Sequence, residues 1–251
     1  MSKDLIVKNY TISSKHPIIC VPIVATDISS IVEKINKARA AQVQMLELRL
    51  DYFAHNDNDC EVKKLLDAIG DLTEDIILLF TIRTAYEGGE FSGSIDRYFD
   101  LIRLGASHRA VDIVDVELDR VLGHEIVLQE IKSLGKILIL SHHNFEKTYS
   151  DEEIATYYKR MAKMGADIEK IALMPVNKMD VARLMSASLD FSDNNPDCLL
   201  IGISMGELGK ITRVSSSLFS SVVTFASIDE ASAPGQIGFK EMKMILEALE
   251  K

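Results

Sequence analysis

The stretch KILILSHHNFEKTYSDEEIATYYKRMAKMGADIEKIALMP, residues 136–175, decides the fold. It begins and ends with short apolar runs, 136–143 and 168–175, of the kind that form buried strands. Between them, residues 151–164 have helical spacing, with acidic residues at the first turn and Gly165 at the end. A strand, a helix and a second strand in this order predict two parallel strands joined by a crossover helix.

The same alternation continues along the rest of the chain. Apolar runs predict eight strands, at 18–24, 45–51, 76–83, 113–118, 136–143, 168–175, 199–205 and 222–227. Helical spacing fills the gaps at 28–41, 60–69, 94–104, 125–134, 151–164, 180–189 and 207–214, and a last helix is predicted at 239–249. Eight such units are the number that closes a (β/α)8 TIM barrel, a single α/β domain over residues 1–251.

Two further features refine this prediction. Residues 5–13 precede the first barrel strand, and we expect them to form a short strand or hairpin that closes the bottom of the barrel. The alternative fold is an open doubly wound sheet. No GxGxxG motif follows the first strand, which disfavours the dinucleotide-binding version of that sheet.

Composition excludes several function classes. The 251 residues are 47% hydrophobic and 26% charged, as in ordinary soluble domains. A formal charge of −10 disfavours nucleic-acid and membrane-surface partners, because both are polyanionic. Three cysteines without a CxxC pair indicate reduced thiols. No targeting segment or membrane-length apolar run is visible, so we expect a cytoplasmic protein.

Charged residues lie inside the predicted strands. Glu47, Arg49 and Asp51 alternate along the second strand, so they should face the same side, the barrel interior. The third strand ends at Arg83 and the fourth carries Asp115 and Glu117. These charges either pair with one another as structural ions or serve an active site. The carboxyl ends of barrel strands form the active-site mouth, and four charged or titratable residues lie there: Arg49, Arg83, Glu87 and His143.

Lys170 is a candidate nucleophile, because it lies within an apolar strand. Burial there would lower its pKa and yield a nucleophilic amine, which can condense with a ketone to an iminium. The alternatives are an ion pair with Glu47 or Asp115, or a side chain that reaches solvent beside Glu169.

His142 and His143 end the fifth strand and offer a general base near neutral pH. Only one of them can face inward, since adjacent strand residues point to opposite faces. The other histidines lie in loops or helices, so the sequence predicts no set of three converging ligands and no metal site.

Five separated motifs together resemble the type I 3-dehydroquinate dehydratases. They occur in the same order over roughly residues 18–240: Glu47-Leu48-Arg49-Leu50-Asp51, Thr81-Ile82-Arg83-Thr84 with Glu87-Gly88-Gly89, Ser141-His142-His143-Asn144-Phe145, Lys170-Ile171-Ala172 and Ser232-Ala233-Pro234-Gly235-Gln236. The resemblance implies a (β/α)8 enzyme of the shikimate pathway. Such an enzyme removes water from 3-dehydroquinate through a lysine imine, uses no metal or organic cofactor, and is often a homodimer.

The same resemblance implies roles for individual residues. Lys170 would form the imine, His143 would transfer the proton and Glu87 would orient His143. Arg213 would bind the substrate carboxylate, which suits the planar fork of a guanidinium, with Ser232 and Gln236 beside it. The ring hydroxyls would be held by Glu47, Arg49 and Arg83.

The sequence departs from the family pattern at two places. Leu48 stands where many relatives carry an aromatic residue, and we expect it to point away from the site. Near the end of the first barrel strand, either Val21 or Pro22 takes the place of the usual serine or threonine.

Two other functions compete with this interpretation. A class I aldolase or transaldolase would share the barrel and the lysine but would need a phosphate site, for which the chain offers small residues: Gly206, Gly209, Ser215 and Ser216. A catalytically silent protein could instead use the pocket to bind a cyclic hydroxy acid, although Lys170 and His143 argue against silence.

Overall fold

Parallel strands alternate with helices throughout a computed structural model, which describes residues 4–229 and 233–249. The strands in the described part of the chain are β1 (Leu5–Val7), β2 (Tyr10–Ile12), β3 (Ile18–Ile23), β4 (Met45–Arg49), β5 (Ile77–Thr81), β6 (Ile113–Glu117), β7 (Ile137–Asn144), β8 (Ile168–Leu173), β9 (Leu200–Ser204), β10 (Val223–Ser227) and β11 (Ile237–Gly238). The helices there are α1 (Ile28–Ala40), α2 (Asp59–Gly70), α3 (Ile95–Ser107), α4 (Ile126–Ser133), α5 (Asp151–Lys163), α6 (Lys178–Asn194), α7 (Lys210–Val214) and α8 (Phe239–Leu249).

Strands β3 to β10 form the wall of a barrel. Each of β3 to β8 pairs in parallel with the next strand, and β10 pairs with β3. The ring closes between β9 and β10, where the Val222 amide donates to the Leu200 carbonyl at 2.8 Å. The predicted (β/α)8 barrel is therefore confirmed, and the open doubly wound sheet is wrong.

Strand alternation divides the apolar core into two clusters. Side chains such as Leu48, Phe80 and Val114 face outward and pack with the helices. Those of the other parity, including Met45 and Ile113, fill the barrel interior. The structure therefore places Leu48 away from the interior, as expected.

The hairpin of β1 and β2 closes the bottom of the barrel, as predicted from residues 5–13. Val7 and Ile12 are buried in the interior cluster. In the turn, the Lys8 ammonium lies 2.7 Å from Asp112 and donates to the carbonyl of Ile76 at 2.6 Å. Both contacts lie at the N-terminal ends of barrel strands, opposite the end where an active site is expected.

Three strands, β4, β5 and β8, end two residues before the sequence prediction, and the end of β4 has a structural reason. β4 ends at Arg49, and Asp51 lies in a short 3-10 helix, Leu50–Tyr52. The reason is hydrogen bonding, because the buried Asp51 carboxylate accepts from the backbone amides of Arg83 at 3.3 Å and Glu90 at 3.1 Å. Asp51 therefore organises the loop after β5.

The start of α5 follows its sequence signal, whereas α6 begins at Lys178, two residues before the predicted start. Ser150 and Glu153 form a capping box at the start of α5, and Asn177 and Asp180 form another at α6. Of the helices within residues 4–229 and 233–249, none is both long and apolar enough to cross a bilayer.

Candidate active site

A pocket opens at the carboxyl ends of the barrel strands. Its lining residues come from most of the strands and from the loops that follow them: Pro22, Glu47, Arg49, Arg83, Glu87, Gly88, His143, Phe145, Lys170, Ala172, Ile203, Met205, Arg213, Phe225, Ala233, Pro234 and Gln236. Every predicted site residue is among them except Ser232, which lies outside the described residues. At the end of the first barrel strand, the residue that lines the pocket is Pro22.

Lys170 is buried at the base of the pocket, with only 3% of its surface exposed. Its ammonium lies 3.2 Å from Oδ2 of Asp115, 3.7 Å from Oε1 of Glu47 and 4.7 Å from the centre of the Phe225 ring. Lys170 is thus both ion-paired, as one alternative expected, and accessible to a ligand in the pocket.

Arg83 is the centre of a buried charge network. Its guanidinium lies 2.9 Å from Asp115, 3.2 Å from Glu117 and 3.3 Å from Glu87. Burial acts to raise the pKa of Asp115, but Arg83 and Lys170 outweigh it and lower that pKa to about 2. The interior charges therefore do pair with one another, and they join β5, β6 and β8.

His143 and Glu87 form a hydrogen-bonded pair. Nδ1 of His143 lies 2.7 Å from Oε2 of Glu87. Burial, with help from Arg83 and Lys170, lowers the pKa of His143 well below its ordinary value, so the ring is neutral at neutral pH. When Nδ1 carries the proton and donates to Glu87, Nε2 is left as an acceptor.

His142 faces the other side of the barrel wall and is also buried. Its Nδ1 lies 3.1 Å from Oδ2 of Asp119 and 3.6 Å from Oε1 of Glu87. Nε2 lies 3.0 Å from the Tyr149 hydroxyl, and the ring stacks on Tyr157 at 4.2 Å between centroids. Burial acts to lower the pKa of His142, but Asp119 and Glu87 outweigh it and raise that pKa to about 10.

The cluster around His142 corrects one sequence prediction. Glu87, Asp119 and His142 offer ligand atoms within 4.8 Å of one another, so three groups that could hold a metal ion do converge. We interpret the cluster as an imidazolium between two carboxylates. The Arg83 guanidinium lies beside Glu87, and the guanidinium of Arg160 lies 3.9 Å from Asp119, so a second cation would be repelled.

Arg213, from α7, has no anionic partner among the residues that the structure describes. Its guanidinium donates to the carbonyls of Phe225 at 3.3 Å and Pro234 at 3.0 Å, and its buried Nε makes no hydrogen bond. Burial lowers the pKa of Arg213 to about 10. A buried guanidinium with only neutral partners is suited to a ligand carboxylate.

The remaining predicted residues line the pocket wall. Glu47 accepts a hydrogen bond from the Thr81 hydroxyl at 3.0 Å. Arg49 forms a two-pronged pair with Asp51, at 2.9 and 2.7 Å. Gln236 follows Pro234 in the loop after β10.

Sequence reasoning missed the apolar wall of the pocket and the outer partners of His142. The wall consists of Phe145, Ala172, Ile203, Met205 and Phe225. Strand parity could have found part of it, since Ala172 lies two residues after Lys170. No sequence pattern marks Asp119 or Tyr149 as neighbours of His142.

The phosphate site that the aldolase alternative would need is not open in this structure. The amides of Gly206, Gly209 and Ser215 donate to the carbonyls of Pro234, Gly206 and Ile211. The Ser216 hydroxyl donates to the carbonyls of Thr212 and Arg213. These groups are thus already used within the loop.

Comparisons with known proteins agree on one family. The sequence model of the type I 3-dehydroquinase family matches residues 19–251. The 3-dehydroquinate dehydratase of Clostridioides difficile strain 630 is 37% identical, over 100% of this chain and 99% of that protein. The enzyme of the same name from Klebsiella pneumoniae strain 342 is 34% identical, over 99% and 100%.

Solved structures are similar over the same length. A type I 3-dehydroquinate dehydratase from Clostridium difficile, with covalently modified comenic acid, has a TM-score of 0.96 at 36% identity, covering 100% of this chain and 99% of that one. The 3-dehydroquinate dehydratase from Geobacillus kaustophilus has a TM-score of 0.95 at 31% identity, covering 100% and 98%.

Proposed function

Because this chain belongs to the type I 3-dehydroquinase family, we propose that it dehydrates 3-dehydroquinate to 3-dehydroshikimate through an imine on Lys170. Family membership confirms the resemblance seen in the sequence and makes the chain an enzyme of the dehydratase, or hydro-lyase, class. The observation that carries the mechanism is a buried amine, Lys170, in the same pocket as a neutral imidazole, His143.

The reaction begins at the ring ketone. The deprotonated amine of Lys170 attacks the carbonyl carbon, and the carbinolamine loses water to give an iminium. Asp115 and Glu47 are the carboxylates beside Nζ, and they stabilise the cation that forms. The iminium then acts as an electron sink for the neighbouring C–H bond.

His143 removes and returns one proton. Nε2 takes the C–H proton, and the electron pair moves into the iminium to form an enamine. The enamine expels the ring hydroxyl, which leaves as water with the proton from the His143 imidazolium. Hydrolysis of the conjugated iminium frees Lys170 and the product. Because one base serves both steps, the proton and the hydroxyl leave from the same side, a syn elimination.

Further pocket residues position the substrate. Arg213 binds the carboxylate, and Gln236 adds a neutral hydrogen bond from the same loop region. Ser232 shares this role in the proposal but lies outside the described residues. The ring hydroxyls are held by Glu47, Arg49 and Arg83, all of which line the pocket. Glu87 orients His143.

Two observations disfavour the competing functions. An aldolase acting on phosphorylated sugars needs open phosphate donors, whereas the amides of Gly206 and Gly209 are already bonded. A silent binding protein has no need for a buried lysine amine beside a histidine base. Both alternatives are included in the following test.

The experiment is reductive trapping with 3-dehydroquinate and borohydride, followed by intact mass and peptide mapping. We expect a stoichiometric adduct on Lys170 and, without borohydride, a rising ultraviolet absorbance from the enone product. An adduct without enone would favour aldol cleavage. If neither an adduct nor an enone forms, the result favours a binding protein and overturns the proposal.

We further propose that the enzyme is a cytoplasmic homodimer of the shikimate pathway. The family resemblance supports this, and exposed apolar side chains near α7 offer a contact surface, since Ile211 is 53% exposed and Leu218 is 66% exposed. Sedimentation equilibrium of the wild type and of Ile211→Asp tests the dimer: we expect the wild type at twice the chain mass and the variant shifted toward one chain. A monomeric wild type would contradict it.

A further inference from the structure

Glu87 lies between two histidines that are neighbours in the sequence. Successive side chains of β7 point to opposite faces, so His143 enters the pocket and His142 enters the layer outside the barrel. One carboxylate oxygen of Glu87 lies 2.7 Å from Nδ1 of His143, and the other lies 3.6 Å from Nδ1 of His142. The carboxylate thus connects the pocket with a group that no substrate can touch.

The surrounding hydrogen bonds fix the proton of His142. Oδ1 of Asn144 accepts from two backbone amides, so its Nδ2 must donate to the Tyr149 hydroxyl, at 2.8 Å. Tyr149 Oη also meets Nε2 of His142 at 3.0 Å. On the other side of the ring, Nδ1 faces the carboxylates of Asp119 and Glu87, which only accept. Nδ1 therefore carries a proton whether or not Nε2 does.

The surroundings of Glu87 oppose its ionisation, so the proton on Nδ1 of His142 affects whether Glu87 is ionised. Glu117 and Glu87 both contact the guanidinium of Arg83. The buried carboxylate of Glu117 therefore opposes ionisation of Glu87. Burial opposes it as well and raises the pKa of Glu87 to about 7, although His142 and Arg83 act in the other direction.

The groups around His142 itself come from three elements. Asp119 lies in the 3-10 helix after β6, beside Arg120 and Arg160, while Tyr149 and Tyr157 stack on the ring from the loop before α5 and from α5. Lys170 lines the pocket, on the opposite side of the barrel wall, together with His143. Asp119 and Glu87 are the anions that meet His142.

We propose that His142 is a positioning residue that keeps Glu87 ionised and thereby keeps the proton of His143 on Nδ1, with Nε2 available as the base. The inference rests on the proposed function, because it assigns that base. If Glu87 becomes protonated, its hydroxyl donates to Nδ1 of His143 and the ring proton moves to Nε2. The imidazole then has no lone pair directed at the substrate.

This role predicts a specific pH signature. Removing His142 takes away a positive charge 3.6 Å from Oε1 of Glu87, so Glu87 binds a proton at higher pH and the acid limb of the rate profile moves upward. We expect a shift of about one pH unit in His142→Asn. Below the limb, kcat falls by about tenfold relative to the wild type, while the plateau at high pH is nearly unchanged. A residue that only supports packing would lower kcat by the same factor at every pH.

The experiment measures kcat and kcat/KM against pH for the wild type, His142→Asn and Asp119→Asn. The last variant removes the stronger partner of His142, and we expect a smaller shift in the same direction. His108→Asn is the matched control, because Nε2 of His108 also meets a carboxylate, that of Asp67 at 3.0 Å, but away from the pocket. Its profile should superimpose on that of the wild type.

Each result decides the inference. A wild type with no turnover and no borohydride adduct refutes the proposed function itself. If the wild type is active and His142→Asn has the same pH–rate profile, only the role of His142 is refuted. If circular dichroism shows that His142→Asn does not fold, the profile of Asp119→Asn decides. Loss of wild-type activity on chelation, restored by zinc, would instead make the cluster a metal site and overturn the inference.

Discussion

Two of the buried cations that line the pocket, Lys170 and Arg213, have opposite kinds of partners. Lys170 lies between the carboxylates of Asp115 and Glu47, whereas Arg213 donates only to carbonyls. A cation whose charge is balanced by protein carboxylates can take part in covalent chemistry without a change in the net charge of the pocket. A cation bound only to neutral groups attracts an anion. In the proposed function, this difference separates Lys170, which reacts with the substrate, from Arg213, which binds its carboxylate.

Lys170→Ala should fold but lose turnover by at least about a thousandfold, because no other lysine among the described residues lines the pocket and the iminium cannot form. The enone absorbance measures this loss, and borohydride should give no adduct. Lys136→Ala is the control, since Lys136 is a partly buried lysine whose ammonium donates to the carbonyls of His108 and Val111, outside the pocket. Equal turnover in both variants would contradict the imine assignment.

Arg213→Ala should mainly lower kcat/KM. Loss of a charge-assisted pair to the substrate carboxylate costs about 2–5 kcal/mol of binding, and Arg213→Lys should restore only part of it because the planar fork is gone. Steady-state kinetics at several substrate concentrations give the values. A kcat/KM of Arg213→Ala equal to that of the wild type would mean that the carboxylate binds elsewhere, at Arg49 or Arg83.

Much of the site could be predicted from single residues. A lysine within an apolar strand, and charges two residues apart in a strand, stand out against the pattern of a buried sheet, and Lys170, Glu47 and Asp115 do converge. The contact between His142 and Asp119 could not be predicted, because it depends on how the 3-10 helix after β6 turns back against β7. The roles of the predicted site residues stay predictions until the variants are measured.

At the scale of elements, alternation of apolar runs was enough to place the barrel strands, and the acidic first turn placed the start of α5. Three strand ends were wrong by two residues. β8 ends at Leu173 and not at 175, whereas β4 ends at Arg49 and not at 51, and β5 at Thr81 and not at 83. Periodicity continues into these loops, but the chain leaves the sheet because Asp51 binds backbone amides of the loop after β5. Tertiary hydrogen bonds of this kind leave no periodic trace in the sequence.

The hairpin of β1 and β2 should contribute stability without affecting the chemistry. Ile12 is fully buried at the bottom of the barrel, so Ile12→Ala should lower the free energy of unfolding by about 2–5 kcal/mol and leave KM unchanged. Ile6→Ala is the matched control, since Ile6 is 75% exposed in the same hairpin. Urea unfolding and steady-state kinetics check both variants. A raised KM in Ile12→Ala would show that the hairpin is coupled to the pocket.

For the whole molecule, the charge network inside the barrel predicts how stability depends on pH. The pKa of Asp115 is lowered to about 2 in the folded protein, from an ordinary value of 3.8. A lowered carboxyl pKa contributes stability above the unfolded pKa, and this contribution is lost as pH falls through the window between these values. The free energy of unfolding should therefore decrease across that window.

Asp115→Asn tests this assignment. It leaves Arg83 and Lys170 with one carboxylate fewer, so the free energy of unfolding at neutral pH should fall by about 3–5 kcal/mol. Its acid dependence should also be flatter than that of the wild type. Asp67→Asn, at an exposed carboxylate, is the control and should retain the wild-type dependence. An unchanged acid dependence in Asp115→Asn would contradict the role of Asp115.

The alternation of side chains along β7 has a consequence for how this enzyme can change over generations. Residues of one parity face the pocket, and their neighbours of the other parity face the helix layer. A mutation at position 142 would therefore adjust the acidity at which the enzyme works and would leave every atom that recognises the substrate in place. Selection for growth in acid or alkaline surroundings thus has a position on which to act without any loss of specificity.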